Sequence, residues 1–186
     1  MGRADLHLHT NFSDGLDSPH DIVLDASQRE LNVIAITDHD TLEGAVRARN
    51  YAHSRPDLGI EVIVGSEIST LNGHVIGLFL NDFVPPRLSA ARTVELIHTQ
   101  GGLAVLAHPY HFYTGRFHGF PRAAELASQI DFDAVETVNH SDVLSFRCNS
   151  AAIALPKLAG LQKWALAMPI TACSLGWPLR NSRDEG

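Results

Sequence analysis

Cysteine, positive charge and long apolar runs are all scarce in this sequence. Only two of its 186 residues are cysteines, Cys148 and Cys173. They match neither a zinc-knuckle spacing nor a disulfide framework, so we expect a reducing, cytoplasmic location. The formal charge of −7 argues against strong binding to nucleic-acid polymers, because phosphate chains bind basic surfaces. It does not exclude a small phosphorylated ligand, since bound metal ions invert the local field.

Because long apolar runs are lacking, the sequence predicts no membrane-spanning segment. The first residues contain no apolar segment typical of a signal peptide, and no run is long enough to span a bilayer. The apolar fraction of 45% and the charged fraction of 19% are those of a globular protein. A chain of this length predicts one domain with a single core.

Histidine, in contrast, is abundant, with eleven residues. His7 and His9 alternate with leucines near the start of the chain, and alternate residues of a strand point to the same face. The two imidazoles are therefore placed to share one ion, with the leucines on the other face. Asp14 lies in a Ser-Asp-Gly turn that can return over the same spot. The alternative interpretation is a half-buried strand with two surface histidines.

The apolar pattern predicts strands that alternate with helices, which is typical of a parallel α/β protein. The predicted strands after the first cover 33–37, 61–64, 75–80, 103–107, 134–138 and 169–172. Helices are predicted at 19–30, from 40–43 onward, at 89–100, near 122–129 and at 149–161. An Asn-Gly hairpin turn is predicted at 71–74, and residues 112–120 are predicted to form a loop.

Polar residues with metal-binding chemistry follow the predicted strands, where α/β proteins place their sites. The set is His7, His9, Asp14, His39, Glu67, His74 and His108. Imidazole with carboxylate suits zinc, manganese or iron, and the lack of cysteine argues against a structural zinc site. Seven ligands are too many for one ion, so Glu67 is a candidate bridge between ions that together clamp a phosphate.

Several of these residues also have ordinary interpretations. His74 fits a simple hairpin residue, and Asp40 is interpreted mainly as a cap of the next helix. His39 and Asp38 are the candidate catalytic residues. The two candidate substrate-phosphate residues, His111 and Arg116, lie in the loop after His108, and plain solvation is the slightly favoured alternative for both. The surface histidines without an assigned role are His20, His53, His98 and His118.

The motifs at 5–15, 36–44, 65–67 and 101–109, together with His74, resemble those of the PHP (polymerase and histidinol phosphatase) family. The resemblance runs from the first residues to at least Asn139. It implies a distorted, TIM-like (β/α)7 barrel with two or three divalent metal ions (Mn, Zn or Fe) and phosphoesterase activity. It also implies that strand 135–139, which carries Glu136, lies near the site.

By the same resemblance, the ligands fall into three sets. The first set is His7, His9 and Glu67; the second is Glu67, His74 and His108; the third is Asp14 and His39. The family's closing Ser/Gly-Asp-x-His motif is missing after Cys173. We therefore expect a single domain at residues 1–174, incomplete at its C-terminus, and an atypical tail at 175–186. The first and third ions would each lose a ligand, and the second would keep every one.

The main functional prediction is a hydrolase that cleaves a small phosphorylated metabolite or nucleotide through metal-activated water. The alternative is a non-catalytic PHP-like module that binds metal without turnover. An amidohydrolase-like deaminase or amidase shares the His-x-His strand but would need a carboxylated lysine in mid-chain. The two lysines, Lys157 and Lys163, both come late, which disfavours that third hypothesis. The sequence does not indicate an oligomeric state.

Overall fold

The structure is a computed structural model, and it describes residues 2–109, 112–113, 116–117, 123–138 and 165–167. The predicted helix 149–161, the predicted strand 169–172 and the tail 175–186 lie outside the described residues. No helix within the described part of the chain has the length and apolar character needed to cross a bilayer.

Nine strands and four helices are present among the described residues. The strands are β1 (Ala4–Leu8), β2 (Val33–Ile36), β3 (Glu61–Ser69), β4 (His74–Leu78), β5 (Leu103–Leu106), β6 (Phe112–Tyr113), β7 (Arg116–Phe117), β8 (Ala134–Val138) and β9 (Ala165–Ala167). The helices are α1 (Pro19–Gln28), α2 (Glu43–Ser54), α3 (Ala90–Thr99) and α4 (Ala123–Gln129). The short hairpin β6–β7 lies where the sequence predicted only a loop, and β9 was not predicted.

The helix starts follow local chemistry. Ser18 and Ser89 cap α1 and α3, and their side chains accept hydrogen bonds from the amides of Asp21 and Arg92. Helix α2 differs from the prediction, because Leu42 precedes it without any side-chain cap.

Seven strands form one sheet in the order β1-β2-β3-β4-β5-β8-β9. The outer pairs are parallel, but β4 runs antiparallel to both β3 and β5. The antiparallel β3–β4 pair is the one that the predicted hairpin implies, whereas the prediction of parallel pairing was wrong between β4 and β5. The predicted hairpin is present, but Ser69 pairs with His74, so its loop holds the four residues 70–73 rather than a two-residue Asn-Gly turn. The Thr70 hydroxyl holds this loop by accepting from the Asn72 amide.

The sheet is strongly curled. His7 on β1 contacts Glu136 on β8 at 3.2 Å, although five strand-to-strand steps separate the two strands. In a flat sheet these steps would place the strands about 24 Å apart. Because no ladder joins β9 to β1 among the described residues, the sheet fits an incomplete barrel. The predicted α/β class is confirmed, and closure as a (β/α)7 barrel stays a prediction.

Apolar side chains fill both faces of the curled sheet. Helices α1 and α2 cover β1–β3 through residues such as Val23, Ala48 and Ile34. Helix α3 and the segment of Phe132 cover the strands that follow. A third cluster, which includes Ile63, Ile76 and Val105, lines the inner face. On β3, Glu67 shares the face of Ile63 because strand side chains alternate. The inner face therefore changes from apolar to polar toward the end of β3.

The first strand departs from simple alternation. Leu8 packs in the outer cluster with α1 and α2, whereas Leu6 packs against the inner cluster. The pairing register with β2 shifts between Asp5 and Leu8, and this irregularity explains why the two leucines do not share a face. The shift leaves His7 buried inside the curl.

Candidate metal centre

Glu67 lies at the centre of the histidine cluster. It follows the apolar part of β3 and is 1% exposed. It contacts four imidazoles at 3.0 Å or less, and a fifth, His39 Nε2, lies 3.7 Å from its Oε2 atom. Its Oε2 atom is 3.0 Å from Nε2 of both His7 and His9. Its Oε1 atom is 2.7 Å from His108 Nε2 and 2.9 Å from His74 Nδ1. One buried carboxylate therefore joins residues from β1, β4 and the segment after β5.

The residues of the first predicted ligand set form a compact triangle. The Nε2 atoms of His7 and His9 are 3.0 Å apart, and each is 3.0 Å from Glu67 Oε2. Three atoms with this spacing can all lie about 2.0–2.2 Å from a common point, which is the distance of zinc from nitrogen and oxygen ligands. A carboxylate with two imidazoles is also the donor set that zinc, manganese and iron accept. These residues therefore fit a divalent cation.

His74 gives a second indication of a cation site. Its Nδ1 atom is buried and makes no hydrogen bond among the described residues, although it lies 2.9 Å from Glu67 Oε1. The two atoms are thus close but not aligned as donor and acceptor. A buried polar atom without a partner is costly, and a cation shared with Glu67 would satisfy it.

Asp14 and His39 extend the cluster toward solvent. Asp14 Oδ1 is 2.7 Å from His9 Nδ1, and Asp14 Oδ2 is 3.6 Å from His39 Nε2. His9, Asp14 and His39 form a second group whose ligand atoms lie within 4.8 Å of one another. His9 belongs to both this group and the triangle, through opposite ring nitrogens. The number of ions stays a prediction.

The third compact group differs from the predicted second set. It contains Glu67 and His74 together with His39, with ligand atoms within 4.8 Å. His108 contacts the same Glu67 oxygen as His74, and the two imidazole rings are 5.4 Å apart. All seven predicted ligands are therefore brought together, but His39 lies closer to His74 than the resemblance implied.

Without metal, the electrostatics of the cluster favour protonated histidines at the positions where cations would bind. Burial alone would raise the pKa of Glu67, but His7 and His108 lower it well below its usual value. Burial alone would lower the pKa of His7, but Glu136 and Glu67 raise it well above the usual value. Asp14 and Glu67 likewise outweigh burial and raise the pKa of His9 to about 9. Metal binding to such imidazoles must displace these protons.

Asp38 contacts the loop that carries Asp14. Its fully buried carboxylate accepts hydrogen bonds from the Thr10 amide at 2.6 Å, the Thr10 hydroxyl at 2.7 Å and the Ser13 hydroxyl at 2.7 Å. Among the described residues it belongs to none of the three compact ligand groups. The geometry thus makes Asp38 a support of this loop, and its predicted catalytic role stays a prediction.

Gly44 explains how helix α2 approaches Asp38 so closely. A Cβ atom at this position would collide with Asp38 Oδ2 and Thr10 Oγ1. Only glycine leaves room for the first turn of α2 to pack against Asp38 and the loop that Asp38 supports. The spacing between Asp38 and Gly44 in the sequence motif therefore has a packing cause.

Asp40 does not cap α2, so that prediction was wrong. Its backbone has a φ of 53°, in the left-handed region that aspartate tolerates better than most residues. Its carboxylate accepts from the Ser69 amide at 2.7 Å, and its own amide donates to the Glu67 carbonyl at 3.1 Å. Asp40 thus ties the turn after β2 to β3, beside Glu67.

Glu136 on β8 was not among the predicted site residues. It is 1% exposed, and its two oxygens contact His7 Nδ1 at 3.2 Å and the His108 amide at 2.7 Å. The sequence signal was a lone carboxylate within an apolar strand, since buried glutamates are rare unless paired. That signal was noted only through the family resemblance.

The structure does not test the two candidate substrate residues. His111 lies outside the described residues, and Arg116 lies in β7. Their contact with a phosphate stays a prediction. Cys173 and the segment that lacks the closing Asp-x-His motif also lie outside the described residues.

Comparison with known proteins agrees with this geometry. The PHP domain family model matches residues 5–164. An uncharacterized protein, MJ1587 of Methanocaldococcus jannaschii, is 36% identical over 180 residues, which cover 87% of this chain and 98% of that protein. A 5'-3' exoribonuclease of Haemophilus influenzae is 40% identical over 92 residues, which cover 47% of this chain and 32% of the enzyme.

A solved structure shows the same fold. A two-domain protein from Bacteroides vulgatus, described as containing a predicted PHP-like metal-dependent phosphoesterase, superposes with a TM-score of 0.60. It is 22% identical, and the match covers 81% of this chain and 49% of that one. The family model spans most of the sequence, and the cluster supplies a metal-binding donor set. The chain therefore belongs to the PHP domain family.

Proposed function

We propose that this chain is a metal-dependent phosphoesterase that hydrolyses a small phosphorylated metabolite or nucleotide in the cytoplasm. The observation that carries the proposal is the contact of one buried carboxylate, Glu67, with four imidazoles. Such a donor set suits divalent cations. The exoribonuclease among the relatives supports a phosphoester substrate.

Each part of the cluster has a task in this proposal. Glu67, His7 and His9 would hold one ion, and Glu67 with His74 and His108 a second. Divalent ions at such a site supply charge that polarises a phosphate and activates water. The deep ligands are buried, whereas the His39 side chain is 29% exposed. With Asp14, whose side chain is 68% exposed, His39 is therefore one of the two members of the cluster that an incoming substrate meets first.

His39 is also the best candidate for moving a proton. Burial alone would lower its pKa, but the nearby carboxylates of Asp14 and Glu67 raise it. A protonated imidazole near the mouth of the site can donate to a leaving oxygen. Asp38 would act indirectly, because the hydrogen bonds that it accepts from Thr10 and Ser13 fix the loop that carries Asp14.

The test compares purified wild type with Glu67→Gln. After treatment with a chelator and reloading with Mn²⁺ or Zn²⁺, bound metal is measured by mass spectrometry and hydrolysis with p-nitrophenyl phosphate and its bis ester. Glu67→Gln should lose most of the metal and the hydrolysis. The matched control is Glu61→Gln, an exposed glutamate on the same strand, which should keep both. Wild type that takes up no metal and stays inert with Mn²⁺ would contradict the proposal.

A second candidate is a module that binds metal without turnover. It is favoured by the sequence after Cys173, where no Asp-x-His follows. The double substitution Leu175→Asp with Trp177→His restores the motif after Ser174. Hydrolysis gained by this variant, with none in wild type, would indicate a damaged enzyme. Metal binding without hydrolysis in both proteins would favour the binding module.

A further inference from the structure

We propose that Glu136 is a positioning residue that lies behind His7 and His108 and prepares both histidines to bind metal. This inference rests on the metal site of the proposed function and adds a residue to it. Glu136 touches neither Glu67 nor the exposed side of the cluster in any recorded contact. It would act through the two histidines on the ions that each of them would hold together with Glu67.

The contacts of Glu136 place it on the far side of His7 from Glu67. His7 Nδ1 lies 3.2 Å from Glu136 Oε1, and His7 Nε2 lies 3.0 Å from Glu67 Oε2. When the ring donates its Nδ1 proton to Glu136, Nε2 is left with a lone pair that faces the other ligands. A carboxylate behind an imidazole is the usual device that fixes the tautomer of a metal ligand. Glu136 is thus the partner that selects the binding nitrogen of His7.

The second oxygen of Glu136 holds the backbone of His108. Glu136 Oε2 accepts from the His108 amide at 2.7 Å, directly after β5. His108 has a φ of 21°, a backbone conformation that costs energy for a residue other than glycine and persists only when its surroundings hold it. The charged acceptor supplies that hold. The turn then directs His108 Nε2 to Glu67 Oε1 at 2.7 Å.

The two carboxylates and two histidines therefore close a ring. Glu67 contacts both imidazoles from the front, and Glu136 contacts one ring and one backbone amide from the back. The ring connects β1, β3, β5 and β8, which are not all neighbours in the sheet. Among the described residues no hydrogen-bonded ladder joins β1 to β8, and this ring of side chains links the two strands instead. The same contacts that curl the sheet thus orient the ligands.

Glutamine cannot replace Glu136 in this role, although it has nearly the same shape. Glu136 accepts two hydrogen bonds, whereas a glutamine side chain offers one acceptor and one donor group. If its amide faces His7, the ring must carry its proton on Nε2, the nitrogen that would bind metal. If its amide faces His108, two donors oppose each other at the turn. Either orientation disturbs a ligand without removing it.

The chain offers a matched control in Asp133, at the opposite ends of β5 and β8. Asp133 Oδ2 also contacts one imidazole, His98 Nε2 at 2.8 Å, and one backbone amide, that of Ala104 at 2.8 Å. Its histidine lies outside all three compact ligand groups. Asp133→Asn therefore makes the same chemical change in a similar setting but away from the cluster.

The experiment titrates metal-free wild type, Glu136→Gln and Asp133→Asn with Zn²⁺ alone, by calorimetry against a competing chelator. Glu136→Gln should bind the tightest zinc about 10- to 100-fold more weakly, and Asp133→Asn should match wild type. Circular dichroism checks that each variant is folded. As a readout on wild type, nitrogen-15 NMR of the zinc-loaded protein should show His7 with its proton on Nδ1 and a downfield, hydrogen-bonded signal.

Each negative result would contradict a different claim. Wild type that binds no zinc would overturn the proposed function, and this inference with it. Wild type that binds zinc, with Glu136→Gln binding equally well, would overturn only the inference. An equal loss of affinity in Asp133→Asn would do the same, because the effect would then be a general one. If Glu136→Gln does not fold, His7 in zinc-loaded wild type decides, and a proton on Nε2 would overturn the inference.

Discussion

The metal-free protein should lose stability as the pH rises from about 6 to about 9. The perturbation is deprotonation of the histidines in the cluster, and His9 shows the expected effect most clearly. Burial alone would lower its pKa, but the hydrogen bonds to Asp14 and Glu67 raise it from 6.5 to about 9. A pKa raised on folding stabilises the folded state fully below the unfolded value of 6.5. That contribution is lost as the pH rises through 9.

The magnitude follows from the size of the shift. The difference between 6.5 and about 9 is 2.5 units, and each unit corresponds to about 1.36 kcal/mol. His9 alone therefore contributes about 3 kcal/mol at low pH that is absent at high pH. The pKa values of His7 and His39 are also raised, so their effects have the same sign. Because a whole domain is stable by about 5–15 kcal/mol, the loss is large.

Urea unfolding with a chelator present, followed by circular dichroism at a series of pH values, measures this effect. Asp14→Asn should flatten the dependence, since it removes a main cause of the raised pKa of His9. Asp25→Asn is the control, because Asp25 forms an ion pair with Arg29 outside the cluster, so this substitution should keep the wild-type slope. A free energy of unfolding that stays constant between about pH 6 and pH 9 would refute the reasoning.

Three further predictions concern the framework of the site, each measured by urea unfolding. Gly44→Ala should cost about 1–3 kcal/mol through overpacking, because its Cβ meets Asp38; wild-type stability would contradict the close approach. Phe132→Ala should cost about 3–5 kcal/mol, since Phe132 is 0% exposed; a loss below that of Ser89→Ala would show that it is not a core residue. Ser89→Ala should cost about 1 kcal/mol, by removing the acceptor for the Arg92 amide, and an unchanged midpoint would deny the cap.

Much of the fold could be predicted from the sequence where the signals are local. The strands with continuous apolar runs, such as 33–37 and 103–107, and the serine-capped helices are present within a residue or two of their predicted limits. Local signals also placed the hairpin before β4. That hairpin implies that β4 runs antiparallel to β3, but it does not reveal that β4 also pairs antiparallel with β5, a partner more distant in sequence. The strands β6, β7 and β9 were missed because two or three residues carry no readable period.

The candidate site was more predictable than its supports. Seven histidine and carboxylate residues at strand ends converge as the sequence indicated. The supports are less visible, because Asp38 and Asp40 have the same local pattern before a helix and yet different tertiary partners. Asp38 binds Thr10 and Ser13, and Asp40 binds Ser69. Glu136 was missed for a related reason, since its partners lie 28 or more positions away.

The antiparallel strand β4 is what allows His74 to join the cluster. Glu67 and His108 lie toward the C-terminal ends of β3 and β5, which meet at one edge of the curled sheet. In a parallel strand, a residue at the first position would lie at the opposite edge, about 13 Å away over four residues of rise. Because β4 runs antiparallel to both neighbours, its first residue, His74, pairs beside Ser69 and reaches Glu67 at 2.9 Å. The hairpin that reverses the chain between β3 and β4 is thus the feature that completes the ligand set around Glu67.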